Sequence, residues 1–186
     1  MDLGALGAAY VTGNCHKWLC APKGAAFLYV REDRREAVRP LTISHGANAP
    51  PGPRSRYLVE ADWVGTVDPT PFLSIPSAID FLGGLFPGGH RELMERNRRL
   101  AVEARRVLCD TLSIPAPAPE SMIGALAAVP LPPGGPDALQ EALFDLGFEV
   151  PLMPWPGRLL RVSAQAYNDR DQYQRLAEAL VSLLRS

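Results

Sequence analysis

Residues 90–112 form the longest periodic stretch of the chain. Leu93, Leu100, Ala101, Ala104, Val107, Leu108 and Leu112 recur at three- and four-residue spacing, so they share one face of an amphipathic α-helix. Everything else is read around that helix. Pro87-Gly88-Gly89 separates it from a second helical pattern over 72–82, carried by Leu73, Ala78, Ile79 and Leu82, because proline and paired glycines interrupt a helix. On its far side the Pro-rich stretch 114–119 reads as a hinge.

Beyond the hinge the pattern changes. Residues 125–129 read as a strand, 137–146 as a helix ended by Gly147, and 148–152 and 159–163 as two more strands. The closing helix takes Asn168 or Asp169 as its N-cap and buries Tyr173, Leu176, Ala177, Leu180, Leu183 and Leu184. That is a β-α-β-β-α layer with helices on one face of a sheet. Upstream of the long helix the signals are shorter. A helix end runs into a strand over 3–11, a buried strand follows over 25–30, and 31–39 is a charged turn or short helix. Leu41-Thr42-Ile43 reads as a short strand, and 46–53 and 63–70 as loops. An α/β chain is predicted, with a domain boundary at the hinge: 1–113, closed by the long helix, and 114–186, a small α+β domain.

Composition limits the partners. The net charge is -1. Arg96, Arg98, Arg99, Arg105 and Arg106 are interleaved with Glu92, Glu95 and Glu103, the pattern of a solvated helix face, so neither nucleic acid nor a membrane surface is expected as a partner. Three cysteines, an odd number without metal-type spacing, read as free thiols in a reducing compartment, with no metal site. The N-terminus has no signal-like core and no apolar run is long enough to span a bilayer, so a cytoplasmic protein is expected.

Of the 19 Lys and Arg residues only Lys17 and Lys23 are lysine, and both fall in Thr12-Gly13-Asn14-Cys15-His16-Lys17-Trp18-Leu19-Cys20-Ala21-Pro22-Lys23-Gly24. Wherever a plain cation serves, this chain uses arginine. Lysine differs in that burial lowers its pKa and its neutral amine attacks carbonyls. The segment is therefore a candidate for Schiff-base chemistry, the ordinary alternative being two solvated turn lysines. Arg161 stands out separately. Leu159, Arg161 and Ser163 alternate with Leu160, Val162 and Ala164, which puts an arginine on one face of an interior strand. Its planar fork suits a carboxylate, from a substrate or from a local Asp or Glu.

His16-Lys17, followed by Pro22-Lys23-Gly24 and the strand-like run 25–30, resembles the cofactor-lysine segment of class V, fold-type I pyridoxal phosphate enzymes. The form Gly13 to Gly24 is most similar to their isopenicillin N epimerase-like branch. Ile43-Ser44-His45-Gly46, then Trp63-Val64-Gly65-Thr66-Val67-Asp68-Pro69, then Leu160-Arg161-Val162-Ser163-Ala164-Gln165-Ala166-Tyr167-Asn168 continue the resemblance in order, almost end to end. The resemblance implies the C-terminal part of a longer enzyme: a remnant of the large α/β domain with the interdomain helix over 1–113, then a complete small α+β domain over 114–186. An upstream part would carry the ring that stacks on the cofactor and the Asp that pairs with its pyridine nitrogen.

It also implies roles. Pyridoxal 5'-phosphate would sit on Lys17, the lysine directly after His, rather than on Lys23 in the Pro22–Gly24 turn. Asn14 and His16 would contact the phosphate, an amide N–H at 14 standing where many relatives have Ser or Thr. Gly65 and Thr66 would reach the phosphate of the neighbouring subunit's cofactor in a homodimer with shared active sites. Arg161 would clamp the α-carboxylate of an amino-acid substrate, Tyr167-Asn168 would shape the following turn, and His45 is left without a role. The implied reaction is epimerase-like proton movement at Cα, with Lys17 as base; transamination and elimination start from the same lysine and stay open. A desulfurase would need a mobile nucleophilic cysteine, and Cys109 lies in the helical pattern. An alternative of another class is a non-catalytic remnant that keeps a dimer surface, since large-domain elements without their sheet expose apolar area.

Overall fold

The computed structural model describes residues 2–154 and 157–185, and the chain divides into two compact units, 1–82 and 83–186. The first begins with α1 (Leu3–Leu6), capped by Asp2, whose Oδ1 accepts from the Gly4 and Ala5 N–H groups. β1 (Tyr10–Asn14) and β2 (Ala26–Val30) then pair antiparallel, Tyr10 opposite Val30 and Asn14 opposite Ala26. Tyr10, Thr12, Asn14, Ala26 and Leu28 share one face of this ribbon and are exposed, while Val30, opposite Tyr10 on that face, is buried. Around the base of the hairpin Cys15, Ala21 and Ala25 are buried, with Leu19, Ile75 and Ala78 packed against them.

Two 3₁₀ turns, Glu32–Ala37 and His45–Asn48, and three helices follow: α2 (Arg56–Ala61), α3 (Thr70–Leu73) and α4 (Ile75–Gly84). Glu60 of α2 is buried, and its carboxylate accepts from Arg39 and Arg56 while its backbone carbonyl accepts from Ser44 Oγ. The Ser44 bond ties the 43–46 segment to α2. The expected strand at Leu41–Ile43 does not form. Leu41 and Ile43 are exposed, and no strand among the described residues lies beside them to complete a ladder.

The second unit is built on α5 (Gly89–Leu112). Its start is closed by the Gly88 N–H bonding to Glu92 Oε2 at 2.8 Å. Its end is a Schellman turn: Ser113 takes a left-handed conformation and the Ile114 N–H reaches the Cys109 carbonyl. A 3₁₀ turn (Glu120–Met122), β3 (Leu126–Pro130), α6 (Leu139–Asp145), β4 (Leu152–Met153), β5 (Leu159–Ser163) and α7 (Arg170–Arg185) complete it. The sheet order is β3-β5-β4, antiparallel throughout, with Ala128 opposite Arg161 and Leu152 opposite Leu160. Ala127, Val129, Leu160 and Val162 face the core, where they join Leu100, Ala104 and Leu108 of α5, Leu139 and Leu143 of α6, and Leu176 and Leu180 of α7. α7 opens with a capping box: Asp169 Oδ1 accepts the Gln172 N–H and Gln172 Oε1 accepts the Asp169 N–H.

The β-α-β-β-α order and the one-sided helical layer are as expected from the sequence. The compact units part upstream of the boundary drawn at 113/114, because the apolar stripe of α5 joins the core of the C-terminal sheet. β4 is shorter than the strand expected over 148–152. Pro151 has no N–H to give, although its carbonyl still accepts the Arg161 N–H; on the edge of β4 away from β5 the Leu152 N–H bonds to Gln140 Oε1 at 2.9 Å. Among the described residues no helix is long and apolar enough to cross a membrane.

Candidate functional site

The lysine segment is the connection between β1 and β2. The Cys15 N–H bonds to the Ala25 carbonyl at 2.9 Å, one step past the strands, and the Ala21 N–H returns to the Cys15 carbonyl at 3.0 Å. Inside that loop the Cys20 N–H closes a turn on the Lys17 carbonyl. Cys20 is left-handed at φ 60, a conformation that costs an L-residue about 1–2 kcal/mol. Buried small side chains anchor the base, while Lys17, Trp18, Cys20 and Lys23 are exposed at the tip. Neither lysine has an ion pair among the described residues.

His16 is half-buried, and its Nδ1 is sealed from solvent without any hydrogen-bond partner. A buried nitrogen left so costs about 1–3 kcal/mol. An oxyanion arriving at the turn would remove that cost by accepting from Nδ1–H. Asn14, the last residue of β1, is exposed. One turn therefore presents Asn14, His16 and Lys17 together. Gly65 and Thr66 lie elsewhere, on the loop between α2 and α3. Gly65 has φ 117 with open space where a Cβ would stand, and Thr66 is exposed. The same loop is fixed at its end by Asp68, whose Oδ1 accepts the Thr70 N–H at 2.9 Å. That bond and the Thr70 hydroxyl hold the Asp68 carboxyl below the usual carboxylate range.

Arg161 belongs to the second unit. It stands on the outer face of the central strand β5, exposed, with no side-chain partner among the described residues. It lies between two grooves. One, of about 610 Å³, is bordered by Gln140, Phe144, Phe148 and Ser163; the other, of about 380 Å³, is bordered by Glu149, Tyr167 and Arg175. Cys109 is buried in α5, and burial pushes its thiol up, the opposite of what a mobile nucleophile needs.

Tyr173 was legible only as a core position. Its hydroxyl donates to the Ser163 carbonyl at 2.6 Å, and burial, with smaller contributions from Tyr167 and Asp169, pushes its pKa to about 12. It completes the end of β5 where β4 has already turned away. The available signal was chemical: a tyrosine on a buried helix face brings a hydroxyl that needs a partner.

No protein-family model matches the chain. Isopenicillin N epimerase of Amycolatopsis lactamdurans is 40% identical over a gapped alignment of 197 residues that covers 98% of this chain and 49% of the epimerase. A probable chloroplastic L-cysteine desulfhydrase of Arabidopsis thaliana is 30% identical over a gapped alignment of 206 residues that covers 100% of this chain and 42% of that protein. Among solved structures, the apo cysteine desulfurase from Thermococcus onnurineus NA1 matches with a TM-score of 0.75 at 18% identity, covering 98% of this chain and 48% of its own. The last likeness is one of fold. The chain spans about half the length of the relatives it matches. Sequence and fold together place it in the class V, fold-type I pyridoxal phosphate-dependent family, in the isopenicillin N epimerase-like branch, as the C-terminal part of such an enzyme.

Proposed function

We propose that this chain supplies the cofactor lysine and the substrate-carboxylate clamp of an enzyme acting at the Cα of an amino acid. The observation that carries the reading is the unpartnered, buried Nδ1 of His16 beside the exposed, unpaired Lys17. Lys17 would hold pyridoxal phosphate. His16 Nδ1–H and the Asn14 amide would donate to its phosphate, and Arg161 would fix the substrate carboxylate through its fork. Gly65 and Thr66 would serve the cofactor of the partner subunit in a homodimer with shared sites. Bound pyridoxal phosphate supplies an electron sink that makes the Cα proton removable. Lys17, with its amine free, would accept or return the Cα proton on the face it occupies; epimerisation would take the proton on the opposite face from a second donor. The three free thiols fit a reducing, cytoplasmic setting.

The test is to add pyridoxal phosphate to the purified chain, reduce with borohydride and map the adduct by peptide mass spectrometry. The expected result is one adduct, on Lys17, lost in Lys17→Ala and kept in Lys23→Ala. No adduct, or labelling scattered over Lys17, Lys23 and the N-terminus, rejects the reading for this chain. It would leave the second reading, a non-catalytic fragment that associates through the exposed apolar side chains of the hairpin, Tyr10, Phe27 and Leu28.

A further inference from the structure

The lysine turn carries two cysteines that the chemistry described above does not use. Cys15 is buried at its base, packed with Ala21 and Ala25, and Cys20 is exposed at its tip. They bracket His16 and Lys17, and the turn draws their backbones together. The Ala21 N–H bonds to the Cys15 carbonyl at 3.0 Å. The Cα atoms of Cys15 and Cys20 therefore lie at most about 8 Å apart, the length of that bond plus the covalent spans at its two ends. A disulfide takes Cα atoms about 4.4–6.8 Å apart, so a small local movement suffices.

The residue that has to move is Cys20. It is left-handed at φ 60, with its thiol against the Trp18 carbonyl at 3.9 Å and its N–H closed on the Lys17 carbonyl at 3.0 Å. Glycine takes such a conformation freely and cysteine does not. Leaving it relieves that strain, redirects the side chain and opens the turn that presents Lys17. From this we propose that Cys15 and Cys20 form a reversible disulfide, a ring around His16 and Lys17 that disables the lysine turn under oxidising conditions. The oxidant is a small-molecule disulfide of the glutathione type. The Cys20 thiolate attacks one of its sulfurs and releases the first thiol, leaving a mixed disulfide on Cys20. The Cys15 thiolate then attacks the Cys20 sulfur and releases the second. The two cysteines give up two protons and two electrons, and the small disulfide takes them up as two thiols. In a reducing compartment the ring reopens, the regime in which cytosolic disulfides serve as sensors. As regulation, the proposal rests on Lys17 being the cofactor lysine; ring closure does not.

The test equilibrates the full chain with oxidised glutathione, quenches with acid and maps the peptides by mass spectrometry without reduction. The expected product links Cys15 to Cys20, is reversed by dithiothreitol, and is absent from Cys15→Ala and Cys20→Ser. Circular dichroism checks that both variants fold. Acetic anhydride then reads the turn. Acetylation of Lys17, measured against Lys23 in the same molecule, should fall severalfold in the oxidised wild type and stay unchanged in Cys20→Ser. Glutathione held on Cys20 as a stable mixed disulfide, or no oxidation at either cysteine, overturns the ring. A ring that forms with the Lys17 to Lys23 ratio unchanged or raised overturns the switch. Neither measurement uses pyridoxal phosphate, so failure of the cofactor adduct on Lys17 and failure of the ring are told apart.

Discussion

A ring nitrogen buried without a partner destabilises the turn that contains it, and His16 Nδ1 is in that position. Phenylalanine has nearly the same shape and no polar atom to satisfy, so His16→Phe should leave the thermal midpoint of the chain unchanged or raise it. The same change should abolish the extra stability that added pyridoxal phosphate gives the wild type, since the phosphate loses its donor. Thermal unfolding with and without cofactor reads both effects. A loss of more than about 1 kcal/mol in the absence of cofactor would mean that His16 already makes a structural hydrogen bond. The resemblance implied a phosphate contact for His16, but the buried, unbonded state of its Nδ1 was not legible in the sequence. Lys17 could be singled out because the chain otherwise uses arginine, and Arg161 because of strand alternation. Whether a histidine nitrogen is sealed and unbonded depends on what folds over it, which no local pattern carries.

Besides their shared core, the elements that carry Arg161 and Arg175 are joined by a hydrogen bond from Tyr173, whose hydroxyl takes the place of a ladder partner for the Ser163 carbonyl. Its pKa is raised from the usual 10 to about 12. Below pH 10 the phenol is protonated in both folded and unfolded chains, so its contribution is complete there. Between about pH 10 and 12 the unfolded chain releases the proton and the folded chain keeps it, so stability falls as pH rises. Urea midpoints measured across this window should fall for wild type more steeply than for Tyr173→Phe. That variant starts lower by about 1–3 kcal/mol, because it leaves the Ser163 carbonyl unpartnered; parallel curves would remove the phenol from the account. At this scale the sequence was informative where periodicity is strong. The α5 stripe, the two strands over 125–129 and 159–163, and the cap of α7 all appear where their patterns put them. It was least informative where a partner decides. Leu41–Ile43 has β-forming residues and no strand beside it, and that missing neighbour is not visible in a local pattern. β4 begins only at Leu152, just past Pro151, which has no N–H for the ladder.

The two units differ in what holds them together. In the second, Leu108, Leu139, Leu143, Leu160 and Leu180 are fully buried between three helices and a three-stranded sheet. In the first, the buried cluster at the hairpin is Cys15, Ala21 and Ala25, small side chains with little area to remove from water. The sheet above it has two strands, and one of its faces carries Tyr10 and Leu28 in the open; a two-stranded ribbon of that kind is marginal without a covering layer. Native-state hydrogen exchange should therefore divide along the chain. Amides of α5 and β5 should exchange only through global unfolding, and those of β1 and β2 orders of magnitude faster through local opening. Equal protection in β1 and β5 at high dilution would show that the hairpin is stable by itself and that its exposed face needs no cover. Protection of β1 and β2 that rises with chain concentration, while β5 is unaffected, would instead identify that face as the surface through which two copies associate. It would then set the lysine turn, which grows directly out of those strands, beside the dimer contact that the shared-site reading of Thr66 requires.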